Sequence, residues 1–290
     1  MTIFNLGSIN ADLVYRVPHL PGPGETLAST SLSRGLGGKG ANMSVAAARA
    51  GARCVHIGAV GEDGRWAIER LTEYGVDTRH IRVGSEPTGH AVIAVDDAGE
   101  NSILLYPGAN CALSEPDISK ALSEATAEDL FICQNETNLQ AEAARMASGR
   151  GMRVAYAAAP FSAAAVMAVL PLLDLLVLNE VEAAQLAEAT GHSPEHLPVR
   201  DAVVTLGSKG CRWHNTDSGD TQAFPAIKVA PVDTTGAGDT FTGYLIAGLD
   251  RGMPMAQAIG LATKAAALMV TRMGTADVIP DLKDVQDMRS

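Results

Sequence analysis

The chain has 290 residues, 47% of them hydrophobic, which supports one large core or a core with a small appendage. Its formal charge of −11, from 33 acidic and 22 basic residues, argues against nucleic acid or an anionic membrane as a partner. The four cysteines, Cys54, Cys111, Cys133 and Cys211, form no C-x-x-C pair and no metal-ligand cluster, so they read as buried, reduced thiols of a cytoplasmic protein.

Along the chain, short apolar runs alternate with helical patterns. Met1–Asn5 shows no basic stretch leading into an apolar one, so no signal peptide is expected. Ile3–Ser8 reads as a strand, and Ala11–Ser33 as extended chain with turns at Pro18 and Pro21–Gly24. A helix is predicted over Asn42–Ala50, a strand over Cys54–Val60 and a helix over Arg65–Tyr74. His90–Tyr106 has the pattern of a hairpin turning at Asp96–Gly99. There follow a helix (Glu115–Glu124), a strand (Asp129–Cys133), a helix (Leu139–Ser148) and a strand (Arg153–Ala157). Val154–Leu173 is uncharged and long enough to span a bilayer, but Pro160, Ser162 and Pro171 make it strand, loop and short helix instead. A strand (Leu175–Leu178), a helix (Glu180–Glu188) and a strand (Ala202–Leu206) come next. Gly236–Met273 reads as two helices broken near Gly252-Met253-Pro254. This alternation predicts an α/β fold with a mostly parallel sheet. The two segments without helices are expected to form a small sheet of their own.

Four motifs carry chemistry. Gly35-Leu36-Gly37-Gly38-Lys39-Gly40-Ala41-Asn42 runs straight into a helix, which brings backbone and donors close to a ligand. Its spacing is not that of a Walker A loop, and a plain tight turn remains an equal reading. Thr235-Gly236-Ala237-Gly238-Asp239-Thr240 opens another apolar helix. There the N–H groups of Gly236, Ala237 and Gly238 can cradle an anion. Asp239 is badly placed to bind phosphate and well placed to take a proton from an attacking hydroxyl, although a helix-capping carboxylate would look the same. Asp12, in Asn10-Ala11-Asp12 after the first strand, can accept from a vicinal diol or close an Asx turn. Asn179 and Glu182 share the first turn after a strand and could hold a hydrated Mg²⁺, or simply cap the helix.

In this order the motifs resemble those of the ribokinase family, also called the PfkB sugar kinases. G-G-K-G-x-N is present at Gly37–Asn42, D-T-x-G-A-G-D at Asp233–Asp239 and N-x-x-E at Asn179–Glu182. The resemblance covers nearly the whole chain and is strongest to the ribose-phosphorylating members. It implies a single domain over residues 1–290, a three-layer αβα sandwich with a mostly parallel central sheet. It further implies that segments of about 11–33 and 88–107 form a β-sheet lid, through which two copies dimerise.

The resemblance also implies site residues. Asn10, Asp12, Gly38, Lys39, Asn42 and Glu136 would hold the sugar, with Asp239 as base and Gly236, Ala237 and Gly238 as anion hole. ATP would lie against Asn179, Thr205, Gly207, Ser208 and Gly210, as well as Gly238, with Mg²⁺ held through water at Asn179 and Glu182. A K⁺ site would fall at Asp233, Thr235, Met269, Arg272 and Gly274. Three departures stand out. Val278 occupies the position of a serine that completes the cation site. Ala157-Ala158-Ala159-Pro160 replaces N-P-A-P. Only residues 191–200 stand where the family has a full helix. The expected reaction is ATP-dependent phosphorylation of a primary pentose hydroxyl, with D-ribose first. Kinases of fructose, other sugars or nucleosides, and a catalytically silent sugar-binding regulator, are the alternatives.

Overall fold

The structure, a computed structural model, describes residues 1–288. In chain order it begins with β1 (Ile3–Leu6), β2 (Asn10–Arg16), β3 (Ser31–Gly37), α1 (Lys39–Arg49) and β4 (Cys54–Gly61). These are followed by α2 (Arg65–Glu73), β5 (Asp77–Gly84), β6 (Gly89–Val95), β7 (Asn101–Tyr106), α3 (Glu115–Leu122) and β8 (Leu130–Gln134). The middle of the chain gives α4 (Gln140–Ser148), β9 (Arg153–Ala157), α5 (Ala163–Val169), β10 (Leu175–Asn179), α6 (Glu180–Thr190) and β11 (Asp201–Thr205). The last elements are β12 (Cys211–Asn215), β13 (Asp220–Phe224), α7 (Ala237–Asp250), α8 (Met255–Met269) and α9 (Leu282–Asp287).

Nine strands form the central sheet in the order β13-β12-β11-β10-β9-β8-β1-β4-β5, parallel except for the β11-β12-β13 edge. The inner strands are apolar on both faces, as a sheet covered on both sides requires. Along β8, Leu130 and Ile132 enter one core with α1, α7 and α8, while Phe131 and Cys133 enter the other with α3 and α4. These two cores define the three layers. The two helix-free segments pair into one separate sheet of order β3-β2-β6-β7, in which β2 and β6 run parallel and the outer pairs antiparallel.

Several boundaries differ from the sequence reading. Helix α1 starts at Lys39, not Asn42, because Gly38 with φ 93° supplies the left-handed entry and Ala41 N–H reaches the Ser8 carbonyl at 2.8 Å. The first strand ends at Leu6, where Gly7 meets α1. The small sheet extends to Gly37, beyond residue 33. Strands β5, β12 and β13 are absent from the sequence reading because all three are polar, β5 and β13 at the sheet edges and β12 next to β13, without an apolar run to announce them. Cys111 is exposed, unlike the other three thiols, because it sits in a turn beyond β7. The short 191–200 segment makes a single turn over Pro194–His196 and buries Leu197 and Val199 against the sheet. No helix among the described residues is long and apolar enough to cross a membrane.

Candidate active site

Two close backbone approaches assemble the site at the carboxyl ends of the parallel strands, where open α/β sheets bind ligands. A Cβ on Gly40 would lie 2.3 Å from Gly7 Cα, so the start of α1 rests directly on the end of β1. A Cβ on Gly243 would lie 2.4 Å from Ala46 Cβ, so α7 packs against α1 at backbone distance. The amino ends of α1 and α7 are thereby brought side by side. Asn42 of α1 donates from Nδ2 to Asp239 Oδ2 of α7 at 2.9 Å, inside the protein.

A polar network beneath this junction was not visible in the sequence. Gln134 Nε2 donates to Asn5 Oδ1, and Asn5 Nδ2 donates to both the Gly40 carbonyl and Ser44 Oγ, each bond 2.8 Å long. Ser44 is left to donate to His56 Nδ1 (2.8 Å), and His56 Nε2–H to donate to the Gly7 carbonyl (3.0 Å). His56 is therefore neutral, and complete burial brings its pKa down to about 4. The residues are scattered over three strands and a helix, so no local pattern could have found them.

The sugar-side candidates lie around this junction. Ser8 Oγ donates to Glu136 Oε2 in a short bond and accepts from Gly40 N–H at 3.2 Å, while Lys39 N–H also donates to Glu136 Oε2 at 3.0 Å. Ser8 is a further residue that the sequence reading had not assigned, although it stands in the Gly7–Asp12 stretch beside Asn10. Asp12 lies on β2 against Gly37, and its carboxylate has no protein donor among the described residues. Asn10 is buried, as is Asn42, whose Oδ1 has no protein partner.

Asp12, Glu136, Glu182 and Asp239 all act on the ammonium of Lys39. Burial pushes Asp239 up to about 6 against the pull of Lys39 and Asn42, with Glu136 and Glu182 adding to the rise. Burial likewise raises Asp12 to about 6, helped by Glu136 and Asp239 and opposed by Lys39. Lys39 is held above its ordinary value, chiefly by Asp239. The candidate base, sugar and metal residues therefore share one electrostatic field.

The raised value at Asp239 has a consequence for stability. An acid whose folded pKa lies above its unfolded 3.8 binds the proton more tightly when folded. That contribution is fully present below pH 3.8 and lost as pH rises through about 6. Asp239→Asn is thus expected to melt above the wild type at pH 7.5, by up to about 3 kcal/mol in stability. The difference should shrink towards zero near pH 4 in thermal scans. His56 acts in the opposite sense, losing stability as pH falls from 6.5 towards 4, but it is common to both proteins and cancels.

At the mouth of α7, Gly236 adopts φ 75° and its carbonyl accepts from Thr240 N–H at 2.8 Å. Ala237 N–H makes a long 3.3 Å bond to the Thr234 carbonyl, whereas Gly236 and Gly238 N–H have no backbone acceptor among the described residues. A Cβ on Gly238 would meet nothing within 4 Å, so open space lies before it. Asn179 and Glu182 form a reciprocal capping box, each bond 2.8 Å, as the capping alternative supposed. That leaves one oxygen of the buried Glu182 carboxylate for a water or ion. Asn179 and Thr205 are register partners at the ends of β10 and β11, and the exposed Gly207–Lys209 turn follows directly. Gly210 closes this loop, its carbonyl accepting from Leu206 N–H at 2.7 Å.

Of the residues expected at a cation site, Asp233, Thr235 and Gly274 come together. Both Asp233 oxygens accept backbone N–H groups, from Thr235 at 2.9 Å and Gly274 at 3.3 Å. The Met269 carbonyl accepts from Arg272 N–H, the Arg272 side chain donates to the Val278 carbonyl, and Val278 supplies no side-chain oxygen. Each of these oxygens accepts a single N–H and keeps a second lone pair.

Comparison with known proteins agrees with this geometry. The pattern of the pfkB family of carbohydrate kinases matches residues 2–282. The chain belongs to that family. It is 36% identical to the ribokinase of Haemophilus influenzae, over 96% of this chain and 95% of that one. The structure of Cryptococcus neoformans ribokinase in complex with ADP superposes with a TM-score of 0.87 at 31% identity, covering 99% and 98% of the two chains. Arabidopsis thaliana ribokinase complexed with ribose and ATP gives 0.86 at 29% identity, covering 98% and 97%. The kinase is thus a phosphotransferase with an alcohol acceptor, built on the three-layer fold that the ribokinase structures share.

Proposed function

We propose that this kinase transfers the γ-phosphoryl group of ATP to O5 of D-ribose, giving ribose 5-phosphate and ADP. The observation that carries the reading is the buried Asp239 carboxylate, held by Asn42 beside the open Gly238 amide at the mouth of α7. Its support from relatives is the ribose and ATP bound by the Arabidopsis enzyme. In this reading Asp239 takes the O5 proton as the new O5–P bond forms and the bond to the β–γ bridging oxygen breaks. The amides of Gly236, Ala237 and Gly238 stabilise charge on the transferring group. Ala237 gives up its long bond to Thr234 to do so.

Asn10, Asp12, Gly38, Lys39, Asn42 and Glu136 hold the sugar. The unpaired Asn42 Oδ1 and the donor-free Asp12 carboxylate are acceptors matched to hydroxyl groups. Asn179, Thr205, Gly207, Ser208 and Gly210 hold the nucleotide. Mg²⁺, when bound, would neutralise the phosphates, with Asn179 and the free oxygen of Glu182 holding it through water. The whole chain acts as one cytoplasmic domain whose small sheet closes over the sugar. That sheet also pairs two copies: Leu32, Ile103, Leu104, Leu105 and Tyr106 expose apolar surface that a second copy would cover.

The test is an ADP-release screen over pentoses, hexoses and nucleosides, with and without K⁺. Ribose is expected to lead, and a nucleoside or hexose leading by about tenfold would displace it. Sugar binding by calorimetry with no ADP formed would identify a silent regulator.

A further inference from the structure

We infer that Asn110 is a positioning residue for the sugar: it fixes the Asn10 amide so that its NH₂ group, not its oxygen, faces the substrate. Asn110 is buried in the turn that follows β7, at the root of the small sheet. Its Oδ1 accepts from the Ile9 N–H at 2.9 Å, and its Nδ2 donates to Asn10 Oδ1 at 2.8 Å.

The orientation follows from chemistry. A backbone N–H can only donate, so the Asn110 oxygen must face Ile9. The Asn110 NH₂ then faces Asn10, which must answer with its own oxygen. With Oδ1 turned towards Asn110, Asn10 Nδ2 faces the other way, so Asn10 reads a hydroxyl oxygen as a donor. Asp12 two residues later reads hydroxyl protons as an acceptor. The pair is tightly enclosed: a Cβ on Gly89 would lie 2.2 Å from Asn110 Nδ2 and 2.5 Å from Asn10 Oδ1. The Asn110 turn is tied to the strand roots by Ala109 N–H to the Pro87 carbonyl (2.8 Å) and Asn110 N–H to the Pro107 carbonyl (3.1 Å). Gly89 begins β6 and pairs in register with Asn10. One amide thus links both strands of the hairpin to the sugar contact.

This inference rests on the reading that a sugar binds at Asn10, and the experiment separates the two. Sugar affinity is measured by calorimetry, alongside KM for ATP and the melting temperature. Asn110→Asp keeps the acceptor for Ile9 but presents an oxygen to Asn10, which must turn its NH₂ inward and its oxygen to the sugar. The expected result is a loss of sugar affinity of about 5- to 150-fold, the roughly 1–3 kcal/mol of leaving a buried polar group mismatched, with KM for ATP within about threefold of wild type. Asn10→Asp reverses the same polarity from the other side and tests the orientation even if Asn110→Asp does not fold; it should lose sugar to a similar degree. Among monodeoxy riboses, the one whose missing hydroxyl weakens wild-type binding most should be discriminated far less by Asn110→Asp. Wild-type sugar affinity in either Asp variant, or equal loss for sugar and ATP, overturns the assignment. Failure of the wild type to bind any sugar overturns the substrate reading and this inference with it.

Discussion

Asp239→Asn is expected to lower kcat by about 10²- to 10⁴-fold, the range in which a positioned general base acts, while calorimetric sugar affinity stays within a few fold. The substitution is nearly isosteric. The carbonyl oxygen of the introduced amide can still accept from Asn42 Nδ2, so the α1–α7 junction that shapes the site persists. What disappears is the group that takes the hydroxyl proton. The pH profile gives a second, independent readout. Burial places the Asp239 pKa at about 6, so below that pH the carboxyl is protonated and cannot act as a base. Wild-type kcat/KM should therefore rise through about pH 6 and level off above it, and the residual rate of the variant should lack this step. Near-wild-type turnover in the variant would assign Asp239 to capping and send the search for a base elsewhere. Asp12 also titrates near 6, so its loss must be controlled with Asp12→Asn, which should raise sugar KM more than it lowers kcat.

The alternation of helices with central strands and the separate second sheet were legible in the sequence because each had a periodic apolar signal or a turn to mark it, and the three layers were implied by the family resemblance. The edge strands were not. β5 carries Arg79, His80 and Arg82 within its span and is recognisable only once β4 provides a partner. At the site, the motifs named the candidate substrate-side residues Asp12, Lys39, Asn42 and Asp239. They did not name the residues that hold those in place. Ser8, Asn110, Asn5, Ser44 and His56 act through hydrogen bonds across 12 to 129 positions of chain, and partnership at that separation leaves no local pattern. The capping alternative at Asn179 and Glu182 was present in the sequence and is what the geometry displays. The same two residues can still face a hydrated ion, because a capping box uses only one oxygen of the Glu182 carboxylate.

Gly37→Ala should be nearly as damaging to sugar phosphorylation as removing Asp12, although alanine is compatible with the backbone there. Gly37 ends β3 opposite Asn10, in ordinary extended conformation. The added methyl would lie 2.1 Å from Asp12 Oδ2 and 2.3 Å from both Oδ1 and Cγ. No Cβ tolerates such contacts, so one partner must move. The strand is pinned in its ladder, whereas the Asp12 side chain has no protein hydrogen bond among the described residues and turns away at small cost. Stability therefore changes little. A carboxylate that holds two hydroxyl groups is worth about 1.5–3 kcal/mol for each charged bond, so sugar KM should rise by about 10²-fold or more with KM for ATP unmoved. The mechanism makes a stricter demand through a double-mutant cycle. If the methyl acts only by displacing Asp12, Gly37→Ala adds nothing to Asp12→Ala, and the double variant matches the single one. Full additivity would mean that the methyl harms the sugar site by another route. Gly40→Ala provides the contrast, because its methyl would strike the Gly7 backbone, which cannot swing aside, and the loss there should appear first in the melting temperature.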